Sequence, residues 1–216
     1  MKGQVTVTDE AIKTGIESLD LGMKLVLNDT QYAQIECYIK LLLRWNKVFN
    51  LTAIRAAEDM LPLHILDSLS VLPYIHYQHC LDVGSGAGLP GIPLAIAHPE
   101  KQMTLLDTNG KKTRFMQQAV IELNLKNVYV VHARVEKWSP EQPFDAIISR
   151  AFSSLQDFVH LTAHHLSTTG MLYAMKGRYP ADELESLPQE YRATEVKLSI
   201  PSLDVDRFLI EIKKHD

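Results

Sequence analysis

The stretch "LDVGSGAGLPGIP", from Leu81 to Pro93, joins a short apolar run to three glycines at alternate positions, Gly84, Gly86 and Gly88. Glycine tolerates positive φ and lets the backbone come close to a ligand. Doubly wound α/β sheets bind their ligands in such a turn, outside the carboxyl ends of the strands. Because three glycines would weaken a turn that held only its own chain, we predict that this one binds a ligand.

The same stretch narrows the class of ligand. Gly86 to Gly91 is a loose match to the dinucleotide pattern GxGxxG, but Pro90 and Pro93 alter the helix start that would face a pyrophosphate. The Gly-Lys-Ser/Thr of a phosphate-binding loop is absent. The acid Asp82, followed by the alternate glycines, instead resembles the first motif of class I S-adenosylmethionine methyltransferases. In that motif the turn lies against the methionine part of the cofactor, and the acid orients it.

A second acid follows at the end of the next predicted strand. Asp107 stands about 25 residues after Asp82, near the spacing at which a carboxylate holds the ribose hydroxyls of a nucleotide. Asp107 could also cap the helix that begins at Lys111. The backbone at Val135 and Glu136, after the third strand, could serve an adenine or form an ordinary polar loop. These features predict a nucleoside cofactor, and they suit NAD as well as S-adenosylmethionine.

Short apolar runs alternate with helical segments from Cys80 onward, which predicts an α/β fold with a mainly parallel sheet covered on both faces. The predicted fold is that of a class I methyltransferase, with a Rossmann-like seven-stranded sheet whose last strand is antiparallel. The predicted strands are Cys80–Val83, Met103–Asp107, Val128–Ala133, Ala146–Ser149, Gly170–Gly177, Glu195–Ile200 and Arg207–Lys214, the last two joined through Pro201 and Ser202. The predicted helices between them are Gly91–Ala97, Lys111–Asn124 and Leu155–Leu166.

The first 75 residues read as a helical N-terminal extension, and residues 76–216 as the Rossmann-like domain. Asn28, Asp29 and Thr30 can cap a helix that starts at Gln31. A further helix is predicted over Met60–Leu72, with Pro62 in its first turn and Pro73 at its end. The apolar positions of the longer helix recur at helical spacing: Ile35, Tyr38, Ile39, Leu42, Leu43 and Val48.

Composition and the overall residue pattern limit which classes of protein the chain can belong to. The chain has 216 residues, a net charge of −4 and two cysteines without metal spacing, which favours a reducing, cytoplasmic setting. Its first residues lack the apolar core of a signal peptide, and no run of about 18 apolar residues predicts a membrane span. The nine histidines form no metal-spaced set, so we expect no metal. Sustained coiled-coil heptads are absent, and we expect a monomer.

Several longer motifs together carry a family resemblance. The chain resembles the RsmG (GidB) family of bacterial 16S ribosomal RNA guanine-N7 methyltransferases. One departure is "DTNGKK", where the family more often has serine at Thr108 and a residue other than glycine at Gly110. The motifs span most of the chain: "RWNKVFNLTAI" (Arg44–Ile54), "HILDSL" (His64–Leu69), "DVGSGAGLPGIPLAI" (Asp82–Ile96), "LLDTNGKK" (Leu105–Lys112), "RVE" (Arg134–Glu136), "SRAF" (Ser149–Phe152) and "MKG" (Met175–Gly177).

The resemblance implies S-adenosylmethionine as the methyl donor and ribosomal RNA, free or in the small subunit, as the acceptor. Gly84 and Leu89 would then contact the donor in the glycine turn, and Val135 and Glu136 would meet its adenosine end. Arg150 would lie at the mouth shared by cofactor and substrate, where it would serve as the catalytic residue and touch the cofactor. Its alternative is a surface arginine in a salt bridge.

The motif after the fourth strand also bears on which atom accepts the methyl group. Methyltransferases that act on exocyclic amino groups often carry Asn/Asp-Pro-Pro-aromatic after the fourth strand, but this chain has Ser149-Arg150-Ala151-Phe152 there. Guanine N7 has a free lone pair and no proton to lose, so it requires no general base. Arg150 can hydrogen-bond guanine O6 or a phosphate. His64 is expected to be structural, and Asp67, one helical turn on, to pair with it.

RNA binding requires positive charge and surfaces for stacking. The predicted RNA contacts are Arg44 and Lys47 in the extension, and Lys176 and Arg178 after the fifth strand. Trp45 and Phe49 can stack on bases or form a core pair. Further candidates of the same kinds are Arg55, Lys111, Lys112, Arg114 and the aromatic Phe152.

Three other functions stay open at this point. A small-molecule methyltransferase of the same fold would use the helical extension as a lid over a deep apolar pocket. An NAD(P)-dependent dehydrogenase would need a Tyr/Lys pair or a histidine near the site, and the sequence offers none. A regulatory or RNA-binding module would retain only a relic of the pocket.

Overall fold

Seven strands form one sheet in the computed structural model, which describes residues 8–19, 25–150, 152–201 and 203–215. In chain order they are β1 (His79–Val83), β2 (Gln102–Asp107), β3 (Val128–His132), β4 (Phe144–Ser149), β5 (Leu166–Lys176), β6 (Tyr191–Lys197) and β7 (Phe208–Lys214). Across the sheet the order is β3-β2-β1-β4-β5-β7-β6. The first five strands run parallel, and β7 lies antiparallel between β5 and β6. The predicted parallel sheet and its antiparallel closing pair are confirmed. Ser202, predicted to help join that pair, lies outside the described residues.

The central strands are apolar because both of their faces are covered. In β4, Ala146 and Ile148 belong to one hydrophobic cluster, while Ile147 between them belongs to the cluster on the opposite face. This alternation follows from the two-residue period of a strand. A strand buried on both sides therefore reads as a continuous apolar run instead of an alternating one.

Helices cover both faces of the sheet. They are α1 (Asp9–Glu17), α2 (Asp29–Phe49), α3 (Ala57–Met60), α4 (Asp67–Leu69), α5 (Gly91–Ala97), α6 (Gly110–Glu122), α7 (Leu155–Thr162) and α8 (Ala181–Glu185). A π-helical turn, Leu61–Leu66, joins α3 to α4. Short 3₁₀ turns follow β3 and α7, at Val135–Lys137 and Ala163–His165.

Several predicted boundaries were wrong, and the strand predicted over Glu195–Ile200 lies at Tyr191–Lys197 instead. The helix predicted over Met60–Leu72 begins at Ala57 and ends at Leu69. The helix predicted to reach Leu166 stops at Thr162, because β5 already starts at Leu166, which pairs with Phe144 across a register shift. Pairing with a distant strand decides this boundary, so local periodicity did not predict it.

The start of α2 has the predicted cap. The Asn28 side chain accepts from the Gln31 N–H at 3.0 Å, and the Asn28 N–H donates to the Gln31 side chain at 2.9 Å. This reciprocal pair is a capping box. At the other end, Asn50 closes the helix in the left-handed region, with φ of 50°. Val48, one of the apolar positions at helical spacing, is 69% exposed.

The N-terminal helices pack directly on the sheet. The Gln31 side chain donates to the Ile96 carbonyl at 2.7 Å, which ties the start of α2 to α5. One continuous hydrophobic cluster contains Ile12 of α1, Tyr38 of α2 and Cys80 of β1. The division into a helical extension (residues 1–75) and a Rossmann-like domain (residues 76–216) stays a proposal drawn from the sequence.

Candidate functional site

The glycine turn lies at the carboxyl ends of β1 and β2. Gly84, Gly86 and Gly88 have φ of 71°, 60° and 83°, in the left-handed region that favours glycine. A Cβ added at Gly88 would meet the Ile92 side chain at 2.4 Å. A Cβ at Gly86 would meet nothing nearer than 3.8 Å. The turn is therefore closely packed at Gly88 and open at Gly86, where a ligand can approach the backbone.

Asp82 is completely buried beneath this turn and only half satisfied. Its Oδ2 accepts from the Gly91 N–H at 2.9 Å, whereas its Oδ1 has no hydrogen-bond partner among the described residues. Burial raises the pKa of the Asp82 carboxyl to about 7, against the opposing effects of the Gly91 hydrogen bond and the Arg150 charge. An orphaned buried carboxylate oxygen is costly, so this site fits a ligand that brings a donor or a positive charge.

Asp107 braces the glycine turn from the end of β2. Its Oδ2 accepts from the Gly86 N–H at 2.9 Å, and its Oδ1 accepts from the Asn109 N–H at 2.7 Å. The cap of α6 is Asn109, whose side chain accepts from the Lys111 N–H, so the alternative of Asp107 as helix cap was wrong. Each carboxylate oxygen can accept more than one hydrogen bond. The ribose contact of Asp107 stays a prediction that this geometry permits.

The other predicted cofactor residues flank the turn or follow β3. Leu89 is 3% exposed and is joined to Pro90 by a cis peptide bond. Val135 is buried, and its carbonyl accepts from the His165 ring at 3.0 Å. Glu136 is paired with Arg134 at 3.7 Å on the surface. Since the Val135 carbonyl is engaged within the chain, the predicted adenosine contact has to come from another atom of this loop.

Arg150 follows β4 and reaches the N-terminal segment. Its Nη1 donates to Asp67 Oδ2 at 3.1 Å and to the Leu63 carbonyl at 3.3 Å. The other oxygen, Asp67 Oδ1, accepts from Arg207 Nε at 3.0 Å. Asp67 was predicted to pair with His64, and this was wrong. The alternative of an arginine in a salt bridge is confirmed in part, because Arg150 is paired with Asp67, although the Asp67 side chain is only 3% exposed.

His64 is held within the chain through both ring nitrogens. Nδ1 donates to the Leu63 carbonyl at 2.9 Å, which leaves Nε2 to accept from the Thr52 hydroxyl at 2.9 Å. Burial, reinforced by the Arg150 charge, lowers the pKa of His64 to about 4. A neutral imidazole with both nitrogens engaged agrees with the structural role expected for it.

A cavity of about 270 Å³ opens beside Arg150 at the carboxyl ends of β4 and β5. Its polar wall contains His64, Asp67, Arg150, Lys176 and Arg207. The Ser149 hydroxyl donates to the Val83 carbonyl at 2.7 Å, so the cavity lies next to the strand end that carries the glycine turn. The remaining wall is largely apolar and consists of Ile54, Leu63, Met175, Gly177, Leu198 and Phe208.

Arg207 was missed by the reasoning from sequence. It stands just before β7, whose antiparallel direction brings its first residues to the edge where β5 ends. Lys176, the last residue of β5, pairs in register with Phe208. The predicted antiparallel closing strand was a signal that could have placed Arg207 at this edge.

The predicted RNA contacts fall into two separate groups. Lys176 lines the cavity, but its ammonium donates to Glu183 at 2.7 Å and its side chain is 12% exposed. Arg178 is exposed nearby. On α2, Arg44 pairs with Glu122 at 3.1 Å and Lys47 is exposed, and neither residue lines the cavity.

The aromatic candidates pack against neighbouring rings. Trp45 contacts Phe49 with ring centroids 5.1 Å apart and Phe115 with centroids 5.6 Å apart. Phe49 is nevertheless 40% exposed, so this pair is only partly core. Phe152 packs on Phe158, and Ala151 of the same motif lies outside the described residues.

The described part of the chain contains no helix long and apolar enough to cross a bilayer. Within the same residues, no group of three or more His, Cys, Asp or Glu side chains is arranged to hold a metal ion.

Most of the chain has sequence relatives. The family described as "GidB: rRNA small subunit methyltransferase G" matches residues 31–210. "Ribosomal RNA small subunit methyltransferase G" of Hydrogenovibrio crunogenus is 51% identical over 194 residues, covering 89% of this chain and 90% of that protein. The protein of the same name from Pseudomonas entomophila is 48% identical over 208 residues, covering 95% of this chain and 94% of that protein.

Solved structures support the same fold at much lower identity. A putative methyltransferase from Thermoplasma acidophilum superposes with a TM-score of 0.54 at 16% identity, covering 64% of this chain and 69% of that one. A SAM-dependent methyltransferase from Thiobacillus denitrificans, solved with S-adenosyl-L-homocysteine, gives 0.51 at 12% identity, covering 69% and 90%. At such identities the likeness concerns the fold alone.

Proposed function

The chain belongs to the rRNA small subunit methyltransferase G family, and we propose that it methylates N7 of a guanine in the small-subunit ribosomal RNA of bacteria, with S-adenosylmethionine as methyl donor. The observation that carries the proposal is the adjacency of two features. The half-satisfied Asp82 lies under an open glycine turn, and Arg150 lies beside it in a cavity of its own. The first feature suits a cationic donor, and the second suits an electron-rich, oxygen-bearing acceptor.

The residues at the ends of β1 and β2 fit the donor. Asp82 offers a buried carboxylate oxygen without a partner, and Gly86 leaves the backbone open to close approach. When bound, S-adenosylmethionine supplies a methyl group activated by the positive sulfonium. We expect residues 84–89 to hold its methionine end, Asp107 its ribose hydroxyls, and the loop at Val135 and Glu136 its adenine.

The acceptor chemistry suits what the cavity contains. Guanine N7 carries a lone pair and no proton, so methyl transfer to it needs no general base. His64, the titratable ring in the cavity wall, has both nitrogens engaged and stays neutral. The chain's contribution is then to orient the base in line with the methyl group, and such placement accounts for a large part of catalysis in reactions of this kind.

Arg150 is the residue proposed to orient the acceptor. Its two hydrogen bonds to described residues leave from Nη1, and a guanidinium carries several further N–H donors. It can therefore stay fixed on Asp67 while donating to guanine O6 or to a phosphate. The mainly apolar wall opposite, with Met175 and Phe208, suits the face of a flat base.

The wider RNA contacts remain proposals of the same kind. RNA phosphates would be bound by the exposed Lys47 and Arg178 and by Arg44 and Lys176. Arg44 would first have to release Glu122, and Lys176 would have to release Glu183. Ribosomal RNA as substrate implies a cytoplasmic enzyme, and we propose that it acts as a monomer.

A labelled-methyl assay tests the function. The purified protein is incubated with donor carrying a tritiated methyl group, and with either small ribosomal subunits from cells lacking the enzyme or a pool of cellular metabolites. Label in the ribosomal RNA supports the proposal, whereas label in metabolites alone would identify a small-molecule methyltransferase. Arg150→Ala should lose most of the transfer, and Arg150→Lys, which keeps the charge but not the planar fork, should restore only part of it.

A further inference from the structure

Asp67 lies between the two guanidinium groups of the acceptor cavity. Its Oδ2 accepts from Arg150 Nη1 at 3.1 Å and its Oδ1 accepts from Arg207 Nε at 3.0 Å. The side chain is 3% exposed, while those of the two arginines are 27% and 23% exposed. One buried carboxylate thus holds two cations whose other ends face the cavity.

This arrangement fixes the direction of Arg150. An arginine side chain has many rotamers and loses conformational entropy when it is ordered. Arg150 donates hydrogen bonds to two acceptors of one short segment, the Asp67 carboxylate and the Leu63 carbonyl. The Arg150 side chain is therefore already ordered before a substrate binds, so substrate binding does not carry the entropic cost of ordering it.

The backbone of that segment has an unusual turn. Leu61–Leu66 is π-helical, and the Asp67 N–H donates back to the carbonyls of Pro62 and His64. The wider turn changes which side chains lie on one face, and π-helical turns are frequent at functional sites. Asp67 consequently faces Arg150 and Arg207 instead of His64, which is bonded to Thr52 and stays neutral.

Asp67 also balances the charge of the cavity. Arg150, Arg207 and Lys176 all line it, and Lys176 is already paired with Glu183. Without the Asp67 carboxylate, two guanidinium groups would face each other and repel. They would turn toward solvent, and Arg150 would lose the direction that its proposed role requires.

We propose that Asp67 is a positioning residue for methyl transfer, acting through Arg150, and that the N-terminal helical segment thereby completes the acceptor site. This inference rests on the role proposed above for Arg150. It assigns the acidic residue of "HILDSL" to catalysis, with no contact of its own to the donor or to the RNA.

The test compares Asp67→Asn with the unaltered protein in the methyl-transfer assay on small subunits. The amide replaces one acceptor oxygen by a donor, so one arginine loses its partner while the side-chain volume is kept. We expect kcat to fall roughly 100-fold, the magnitude that a small misplacement of reacting groups produces. The donor affinity, measured by calorimetry, should change less than about twofold, because Asp67 is not part of the glycine turn.

A matched control separates positioning from a general loss of stability. Asp145 is a second carboxylate with two hydrogen bonds, to the N–H groups of Gln78 and His79 at the opposite end of β1. Both bonds end on Asp145 Oδ2, and an asparagine oxygen can still accept them, so the control is Asp145→Ala, which should destabilise the fold and leave kcat unchanged. Asp67→Glu keeps the charge and moves it by one methylene, so it gives the same comparison should Asp67→Asn fail to fold.

The double variant carries the decisive readout. In an Arg150→Lys background, Asp67→Asn should lower kcat by much less than it does in the unaltered protein, since both changes remove one interaction. Equal factors in both backgrounds, or normal kcat in Asp67→Asn and Asp67→Glu, would overturn the inference and leave the proposed function intact. Normal transfer by Arg150→Ala would instead overturn the role of Arg150, and the inference with it.

Discussion

The Tyr38 hydroxyl donates a 2.6 Å hydrogen bond to the Ala87 carbonyl, in the middle of the glycine turn. Tyr38 is on α2 and is fully buried, so a helix of the N-terminal region supports the turn that we assign to the methyl donor. Together with Asp67 at the acceptor cavity, this bond connects the N-terminal helices to both halves of the site. They are therefore structural parts of it and differ from a detachable lid.

Removing that hydroxyl should weaken donor binding. Tyr38→Phe leaves the Ala87 carbonyl buried without a partner, at a cost of about 1–3 kcal/mol. We expect a lower free energy of unfolding in denaturant titrations and weaker donor binding by calorimetry. Tyr77→Phe is the matched control, since the buried Tyr77 hydroxyl has no hydrogen-bond partner among the described residues and its removal should not destabilise. Unchanged donor affinity in Tyr38→Phe would contradict the support of the turn by α2.

Two alanine substitutions in the turn should have different effects. At Gly86 a methyl group fits the space, so Gly86→Ala should cost only the roughly 1–2 kcal/mol of a left-handed alanine while blocking the donor. At Gly88 it would collide with Ile92, 2.4 Å away, so Gly88→Ala should destabilise the fold itself. Thermal unfolding separates the two. A Gly86→Ala protein that binds the donor normally would show that the ligand does not approach there.

Donor binding should depend on pH through Asp82. Its pKa is raised to about 7 by burial, so the ligand-free carboxyl holds a proton below that pH. A cationic donor favours the carboxylate, and binding must release this proton. Affinity should therefore rise with pH, by up to about tenfold per unit below pH 7, and level off above it. Calorimetry between about pH 6 and pH 8 measures the slope. Asp82→Asn should remove it, and a slope that persisted in that variant would have to come from another group.

Acid stability should report the neutral state of His64. The pKa of His64 is about 4 in the fold, against its ordinary value of 6.5, so the neutral imidazole contributes its full stabilisation above pH 6.5. That contribution, up to roughly 3 kcal/mol, should be lost as pH falls from 6.5 toward 4, because the unfolded chain binds the proton more tightly. Urea titrations across this range measure it. His64→Gln should flatten the pH dependence relative to the unaltered protein. Identical slopes in His64→Gln and in the unaltered protein would rule out His64 as the source.

Much of the fold followed from local sequence because its central strands are buried on both faces and read as uninterrupted apolar runs. The glycine turn was equally predictable from the sequence, since left-handed backbone at Gly84, Gly86 and Gly88 restricts those positions to few residue types. Both signals lie within a few residues of the feature they predict.

The acceptor side of the site was less predictable for a physical reason. Asp67 meets Arg150 across 83 positions of chain and Arg207 across 140 positions, and neither helical nor strand periodicity encodes such pairs. Local spacing predicted that Asp67 pairs with His64. The π-helical turn before Asp67 instead directs its carboxylate toward Arg150 and Arg207. The error at Leu166 has the same origin, because pairing with Phe144 decides where α7 gives way to β5.

The central claim is the identity of the methylated atom. Small subunits from cells lacking the enzyme are treated with the purified protein and the donor, their RNA is digested to nucleosides, and the methylated nucleosides are separated and identified by mass spectrometry. The account predicts a gain of 7-methylguanosine, absent without protein and strongly reduced with Arg150→Ala. Methyl groups on an exocyclic nitrogen or on a pyrimidine, or RNA that stays unmethylated, would contradict it.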